Sequence, residues 1–401
     1  MTGVLDGITV LDFGRYVAGP YCACLLGDLG AEVIRVEKID GGEDRFVGPL
    51  AEGDDAVPGG LFMHCNRNKR GLTLNPMRDE GREVMARLVK TADVVIANLP
   101  ASTLAAMGLD YDSLRSIKPD IVVTTVDAFG PGGPYSERVG FDGVGQSMSG
   151  SVYLSGRPGQ PSKAVAPWVD FMTASLSAFA TMAALFQRQQ TGEGQHVQGA
   201  LLWTAMTAMG GLLLEQDIAV TDREPIGNRS HTAAPYDICA TKDGWVIVQV
   251  IGAPLFTRWL KLMGDDEWAG DPAYATDESR VQQPQQDILA DRMTSWCAQR
   301  TTEEALAALD EARIPAGPVY GPQQFLDDRH VAAAQLLQAM PAPFPGLPKP
   351  GRLLRTPIAM SATPPTIRSR PPLIGEHTDE ILTELGYSPA DITKLRDARA
   401  V

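Results

Sequence analysis

The chain has 401 residues, 44% of them apolar and 21% charged, the composition of a globular enzyme of two or three domains. A formal net charge of -14 excludes a general nucleic-acid binder, although a local cluster of cations and helix N-termini still suits an anionic ligand. The 40 glycines and 30 prolines predict many turns.

The first residues, MTGVLDGITVLDFG, carry neither a basic n-region nor an apolar h-region, so no signal peptide is expected. Apolar runs are broken short of a membrane span, so no membrane contact is expected either. Residues 8–12 read as a buried strand, 13–20 as a loop, and 21–29 as a helix ended by Gly30, with Pro20 suited to its start. Residues 32–37 form a second strand, and this β-loop-α-β order begins a parallel, doubly wound sheet. Gly14 and Gly19 do not make G-x-G-x-x-G, so the usual dinucleotide fingerprint is absent.

Residues 41–68 read as a long loop and 69–74 as a strand. An amphipathic helix is predicted over 80–90, with Val84, Leu88 and Val89 on its apolar face. A strand at 93–97 leads into Asn98-Leu99-Pro100. Short helices at 102–107 and 111–117 follow, then a strand at 121–126 and a Gly/Pro loop at 129–134. Polar or Gly-rich loops after several strands put a ligand at the C-terminal edge of the sheet.

The stretch 161–204 carries one carboxylate, Asp170, just ahead of a long helix pattern rich in Ala, Ser and Thr. Asp170 reads either as an N-cap or as a nucleophile held ionised by the amides and dipole of a helix start. Spacing alone leaves both readings open. The small residues behind it predict close packing against other backbones.

After 214 a hairpin is predicted, 235–239 and 245–250 around the turn 240–244. Helices at 254–263, 283–298 and 302–312 complete a smaller α+β domain. Proline-rich 340–350 and 363–372 read as extended linkers, and 378–385 and 389–399 as a helical tail. Cys22, Cys24, Cys65, Cys239 and Cys297 lack metal-ligand spacing, as do the five histidines, so no metal is expected. Their odd number and apolar settings fit reduced thiols in a cytoplasm.

The segments VLDFGRYVAGPYCACLLGDLGAEVIRVEK (10–38), NRNKRGLTL (66–74), ADVVIANLP (92–100), GFDGVGQSMSG (140–150), QRQQTGEGQHV (187–197), ARIPAGPV (312–319) and LIGEHTDEIL (373–382) resemble the class III CoA-transferase family in matching order. That family includes formyl-CoA transferases, carnitine CoA-transferase-like proteins and α-methylacyl-CoA racemases. The resemblance implies an α/β fold, with a Rossmann-like large domain whose parallel sheet is built from both chain ends. The implied divisions are 1–215 for its first part, 216–330 for a smaller α+β domain, and 331–401 for the return linker and closing helices. It also implies a homodimer of two interlocked rings.

Asp170 falls at the family's catalytic aspartate. The implied reaction moves CoA from an acyl-CoA, with succinyl-CoA as the default donor, to a small carboxylic acid. CoA and acyl-CoA are substrates, and no cofactor is bound permanently. Asp170 would pass through an acyl-aspartyl anhydride and an aspartyl-CoA thioester, with backbone amides near its helix start or in a Gly loop holding the oxyanion. Implied CoA contacts are Val17 and Ala18 in the first loop, Lys38, Leu74, Asn75 and Met77, Asn98, Leu99 and Pro100, and Phe141 with Asp142. Tyr16 shares the first loop.

Val17 stands where the transferases often have Gln. Ala106 stands where an Arg is usual, which leaves Arg78 or Arg138 to compensate. No glycine lid is evident in 227–235, where Arg229, Ser230 and His231 offer polar groups for an acceptor's second carboxylate. The alternative activity is an α-methylacyl-CoA racemase. Those enzymes carry a His at position 141, and Phe141 has no proton to move.

Overall fold

The computed structural model describes residues 3–50 and 57–401. Contacts divide the chain into two units. The first comprises residues up to Ser149 with Ala164–Gly210 and Ala332–Val401, and the second comprises Gly150–Lys163 with Gly211–Val331. The stretch 150–163, kept with the larger domain in the sequence reading, thus groups with the second unit.

The first unit is an α/β domain around six parallel strands: β1 (Thr9–Asp12), β2 (Glu32–Glu37), β3 (Lys69–Thr73), β4 (Val94–Ala97), β5 (Val122–Asp127) and β6 (His196–Ala200). Their order, β3-β2-β1-β4-β5-β6, is that of a doubly wound, Rossmann-type sheet with its switch point between β1 and β4. The central strands β1 and β4 are largely apolar because both faces are covered, whereas β2 and β3 also bury Arg35, Glu37 and Lys69. Alternate residues serve opposite faces. Val10, Val94, Ile96 and Val122 pack beneath helix α1 (Ala18–Asp28). Leu11, Val95, Ala97 and Val123 pack beneath the helices Asp79–Thr91 and Tyr111–Ile117.

All six strands come from the first 200 residues, which corrects the expectation of a sheet built from both chain ends. The C-terminal segment instead contributes the helices Thr378–Glu384 and Pro389–Asp397, whose Ile381, Leu382, Ile392 and Leu395 close one face. Its proline-broken approach, 363–372, cannot donate a regular ladder. It runs as an anchored strap: Asn68 donates its amide to the Ser369 carbonyl at 3.2 Å, and Asn68 Oδ1 accepts from the Arg368 amide at 2.6 Å. Residues 340–350, expected as a linker, are the loop of an antiparallel hairpin between Leu337–Ala339 and Arg352–Leu354.

The expected loop 41–68 contains a 3-10 turn, Glu43–Phe46, and a short helix, Gly60–Cys65, which buries Phe62, Met63 and Cys65. Residues 51–56 of it lie outside the described residues. Two further helices frame the site, α2 (Asp142–Met148) and α3 (Trp168–Thr191). With 24 residues, α3 is long and apolar enough to cross a membrane by length and composition, which corrects the expectation that no stretch reaches that size. One face of it packs in the core. Thr173, Ala174, Ser177, Ala178 and Thr181 form a buried small-residue face, and Thr181 Oγ1 lies 2.7 Å from Thr124 Oγ1 on β5.

In the second unit, β7 (Tyr236–Ala240), β8 (Trp245–Gln249) and β9 (Ala316–Pro318) form an antiparallel sheet. Helices Ala253–Met263, Gln285–Ala298 and Thr302–Glu311 cover it, with Trp259, Leu289, Met293 and Leu309 in its core. The third strand was not legible, because three residues bounded by prolines carry too little period-2 signal.

Candidate active site

The C-terminal ends of β1 and β2 carry a buried set of charges, joined by Lys69 from the start of β3. Arg35 donates to Asp44 at 2.7 Å and lies 3.6 Å from Asp12 and 3.7 Å from Glu37. Lys69 reaches Asp12 at 2.7 Å, and Arg45 reaches Glu37 at 2.5 Å. Burial alone would push the Asp12 carboxyl up, but Lys69 and Arg35 outweigh it and hold its pKa below the usual value. Glu37 is held low in the same way, with Arg35 and then Arg45 overcoming burial.

This cluster shapes the loop between β1 and α1. Asp12 Oδ1 accepts from the Gly14 amide at 2.8 Å, Arg35 donates to the Gly14 carbonyl at 2.8 Å, and Asp44 accepts from the Tyr16 amide at 3.2 Å. Asn98, at the end of β4, clamps Arg15 from the other side. Its Oδ1 accepts from the Arg15 amide at 2.6 Å and its Nδ2 donates to the Arg15 carbonyl at 2.8 Å. Tyr16 is held at φ +60°, an uncommon setting for a non-glycine residue that the surrounding bonds enforce. A Cβ on Gly19 would lie 3.0 Å from Asn98 Oδ1, so a glycine lets α1 start close against β4. Val17 is the N-cap of α1 and has no side-chain acceptor, and the Ala18 and Gly19 amides find no acceptor among the described residues.

Asp170 faces the same cleft. Tyr16, Val17, Ala18, Asn98, Leu99, Pro100 and Phe141 line it with Asp170, as do Arg15, Asp127 and Arg138. Asp170 is the third residue of α3, whose N-cap is Pro167, so Asp170 is not an N-cap. The amides at this helix start go to Asp142, whose Oδ1 accepts from Val169 at 2.8 Å and from Asp170 at 3.2 Å. The Asp170 carboxylate has no hydrogen bond among the described residues. Burial, and then the neighbouring charge of Asp142, raise its pKa to about 7. The expectation that the helix start holds Asp170 ionised through its amides is corrected: another acid occupies them.

A groove beside this cleft brings together Lys38, Leu74, Asn75 and Met77 with Arg15, Arg78, Met107, Arg399 and Asp40. Lys38 pairs with exposed Glu43 at the surface. Leu74 is buried, whereas Met77 is 55% exposed at the groove's rim. Arg78 lies here with Lys38, while Arg138 lies in the Asp170 cleft and stacks over Tyr135 at 4.1 Å. Arg15 borders both spaces, and burial and the charge of Arg35 lower its pKa. Residues 5–378 match the model of a family described as CoA-transferase family III.

The chain belongs to CoA-transferase family III. It is 35% identical over 393 residues to a succinate–glutarate CoA-transferase from Agrobacterium fabrum, covering 95% of each chain. It is 34% identical to the beta subunit of a succinyl-CoA–L-malate CoA-transferase from Chloroflexus aurantiacus, covering 99% of this chain and 98% of that one. Among solved structures, a CaiB/BaiF family protein from Brucella suis superposes with a TM-score of 0.82 at 32% identity, over 96% of this chain and all of that one.

Within this CoA-transferase, sequence reasoning missed Arg15, Arg399 and the buried cluster. Arg15 sat inside a quoted motif, and its place in the first loop after β1 was the available signal. Arg399 lies 324 positions from Asn75, and only folding brings the two into one groove. In the second unit, Arg229 is already engaged, 3.4 Å from Asp237 and 2.5 Å from Asp287. The Ser230 hydroxyl lies 3.1 Å from that of Thr232, and the buried His231 Nε2 has no hydrogen-bond partner among the described residues.

Proposed function

We propose that this enzyme moves CoA from succinyl-CoA to a second dicarboxylic acid, with Asp170 as the covalent nucleophile. The observation that carries the reading is a half-buried carboxylate with no hydrogen bond among the described residues, facing a cleft that it shares with the uncapped first turn of α1. The relatives named for succinate and glutarate and for L-malate support a dicarboxylate acceptor.

In this mechanism an Asp170 oxygen attacks the thioester carbon. The C–S bond breaks and its electron pair leaves on the CoA thiolate, which gives an acyl-aspartyl anhydride. The thiolate then attacks the aspartyl carbonyl, frees the donor carboxylate and leaves an aspartyl-CoA thioester. The acceptor carboxylate attacks that carbonyl and expels the thiolate. The thiolate takes the acceptor's acyl carbon and returns Asp170 as a carboxylate. The Ala18 and Gly19 amides supply donors for the developing oxyanion, a role in which pre-oriented backbone groups are effective. CoA lies along the groove of Leu74, Asn75 and Met77, with Lys38, Arg78 and Arg399 toward its phosphates. Arg15 and Arg138 are the cations available to the acceptor's second carboxylate in the cleft. Racemisation is not favoured: Phe141 has no titratable group, and its ring meets Tyr16 edge-on at 5.6 Å.

The proposed assembly is a homodimer of interlocked rings. Leu176, Phe179 and Phe186 on α3 expose apolar surface of the kind a permanent partner covers, and Trp203 and Met206 add to it. Sizing is expected to give twice the chain's mass, stable to dilution. A fast monomer–dimer exchange would refute the interlock. Five buried, unpaired cysteines suit the proposed cytoplasmic location.

The decisive experiment traps the intermediate. Succinyl-CoA with hydroxylamine is expected to inactivate the enzyme and to leave a hydroxamate on Asp170, whereas hydroxylamine alone does little. A label elsewhere, or none, overturns the assignment of the nucleophile.

A further inference from the structure

Helix α2 begins at Asp142, which is 6% exposed and uses both carboxylate oxygens. Oδ1 accepts from the amides of Val169 at 2.8 Å and Asp170 at 3.2 Å, and Oδ2 accepts from Gln146 Nε2 at 2.5 Å. Gln146 is buried as well. Its Oε1 accepts from the Ala164 amide at 3.0 Å, and its Nε2 lies 3.4 Å from the Ala166 carbonyl. Two side chains one turn apart on α2 therefore fasten residues 164–170, the segment that delivers the nucleophile. Pro167 offers α3 no capping oxygen, so the cap is borrowed from another helix.

We propose that Asp142, braced by Gln146, is a positioning residue for Asp170: it takes the α3 amides that the nucleophile would otherwise bind and sets a negative charge beside it. The inference rests on the reading of Asp170 as nucleophile. A carboxylate that accepts backbone N–H bonds becomes a weaker base, and its free oxygen is tied down. Asp142 absorbs those bonds and does not itself line the cleft. Other charged or titratable groups border the cleft. Arg15 and Tyr16 come from the first loop, Asp127 from the end of β5, and Glu137 and Arg138 from the loop before α2. None of them forms an ion pair with Asp170 among the described residues. Asp127 is itself engaged, accepting from the amides of Phe129 at 3.0 Å and Gly130 at 2.5 Å.

The test is single-turnover acylation by succinyl-CoA from pH 5 to 9, read as CoA thiol release and as hydroxamate on Asp170. Asp142→Asn keeps an oxygen for the two amides and loses the charge, and its pH midpoint is expected to fall by about one unit. Gln146→Leu keeps the charge and loses the brace. Its plateau rate is expected to fall about tenfold, because the attacking oxygen is less well held, with no lowering of the midpoint. An unmoved midpoint in Asp142→Asn overturns the proposal, and so does an unchanged plateau in Gln146→Leu. If Asp142→Asn does not fold by circular dichroism, Gln146→Leu decides alone. Absence of label on Asp170 in the unaltered enzyme defeats the nucleophile reading instead, so the two failures are distinct.

Discussion

Two groups of buried acids in the first unit behave in opposite ways. At the ends of β1 and β2, Asp12 and Glu37 are wholly enclosed, yet Lys69, Arg35 and Arg45 hold them ionised. At the start of α3, Asp170 has burial without a cation, and its neighbour is another acid. Desolvation opposes charge in both places, and the sign of the nearest partner decides the outcome. The first arrangement fixes the loop that forms one wall of the cleft. The second leaves the proposed nucleophile facing it. A carboxylate whose basicity is raised and that has no hydrogen-bond partner among the described residues is better suited to attack than one locked in an ion pair.

The largest expected effect breaks the second arrangement. Asp170→Asn keeps the side-chain shape and removes the proposed attacking group, so turnover is expected to drop by more than about 10³-fold. Binding of CoA, measured by calorimetry, should persist. Substantial residual turnover would make Asp170 a structural residue.

Breaking the first arrangement is expected to act on folding. Arg35→Met leaves Asp12, Glu37 and Asp44 short of a cation, and a buried charge stripped of its partner costs about 3–5 kcal/mol. Urea denaturation at neutral pH is the check, and a loss below about 1 kcal/mol would mean that water or neighbours replace the guanidinium.

pH sharpens the comparison because the two groups carry opposite signs. Asp12 and Glu37 have folded pKa values below their unfolded ones. Their stabilisation is present above the unfolded pKa, near 4, and is lost as pH falls through the folded values. Asp170 titrates near 7 when folded and near 3.8 when unfolded, so between those values the folded chain holds the extra proton and stability falls as pH rises. Asp170→Asn should therefore stabilise the enzyme at pH 8, by at most about 4 kcal/mol, and should give no gain near pH 3.5. Equal effects at both values would rule out the raised pKa. In the unaltered enzyme, acylation should rise with pH up to about 7 and then level off.

The smallest expected effect concerns the exposed cations of the groove. Lys38→Glu and Arg399→Gln should each raise the KM for acyl-CoA about two- to fivefold at low salt, because exposed charge pairs are weak. The effect should shrink as salt rises. It should also shrink with dephospho-CoA thioesters if these cations meet the 3′-phosphate. An unchanged KM at low salt would return Lys38 to its pair with Glu43.

The sequence by itself determined the elements and much of the family-level reading. The strand patterns at 32–37, 69–74 and 93–97, and the 3.6-residue period over 80–90, needed only near neighbours in the chain, so β2, β3, β4 and the helix Asp79–Thr91 were legible. The long helix behind Asp170 was legible for the same reason, while the spacing left the role of Asp170 open. What depends on partners far apart in sequence was not. The two tail helices were legible, but the face of the sheet that they close and the anchoring of the strap before them were not. The loop 41–68 hid the Arg35–Asp44 pair, because a buried ion pair leaves no periodic trace. The roles at α3 were decided only in three dimensions. Asp142, 28 positions earlier, supplies the cap, and the Asp170 carboxylate, which the spacing allowed as a cap, has no hydrogen bond among the described residues. Local periodicity reports which face of an element is buried. Which charge lies opposite which is a property of the assembled fold.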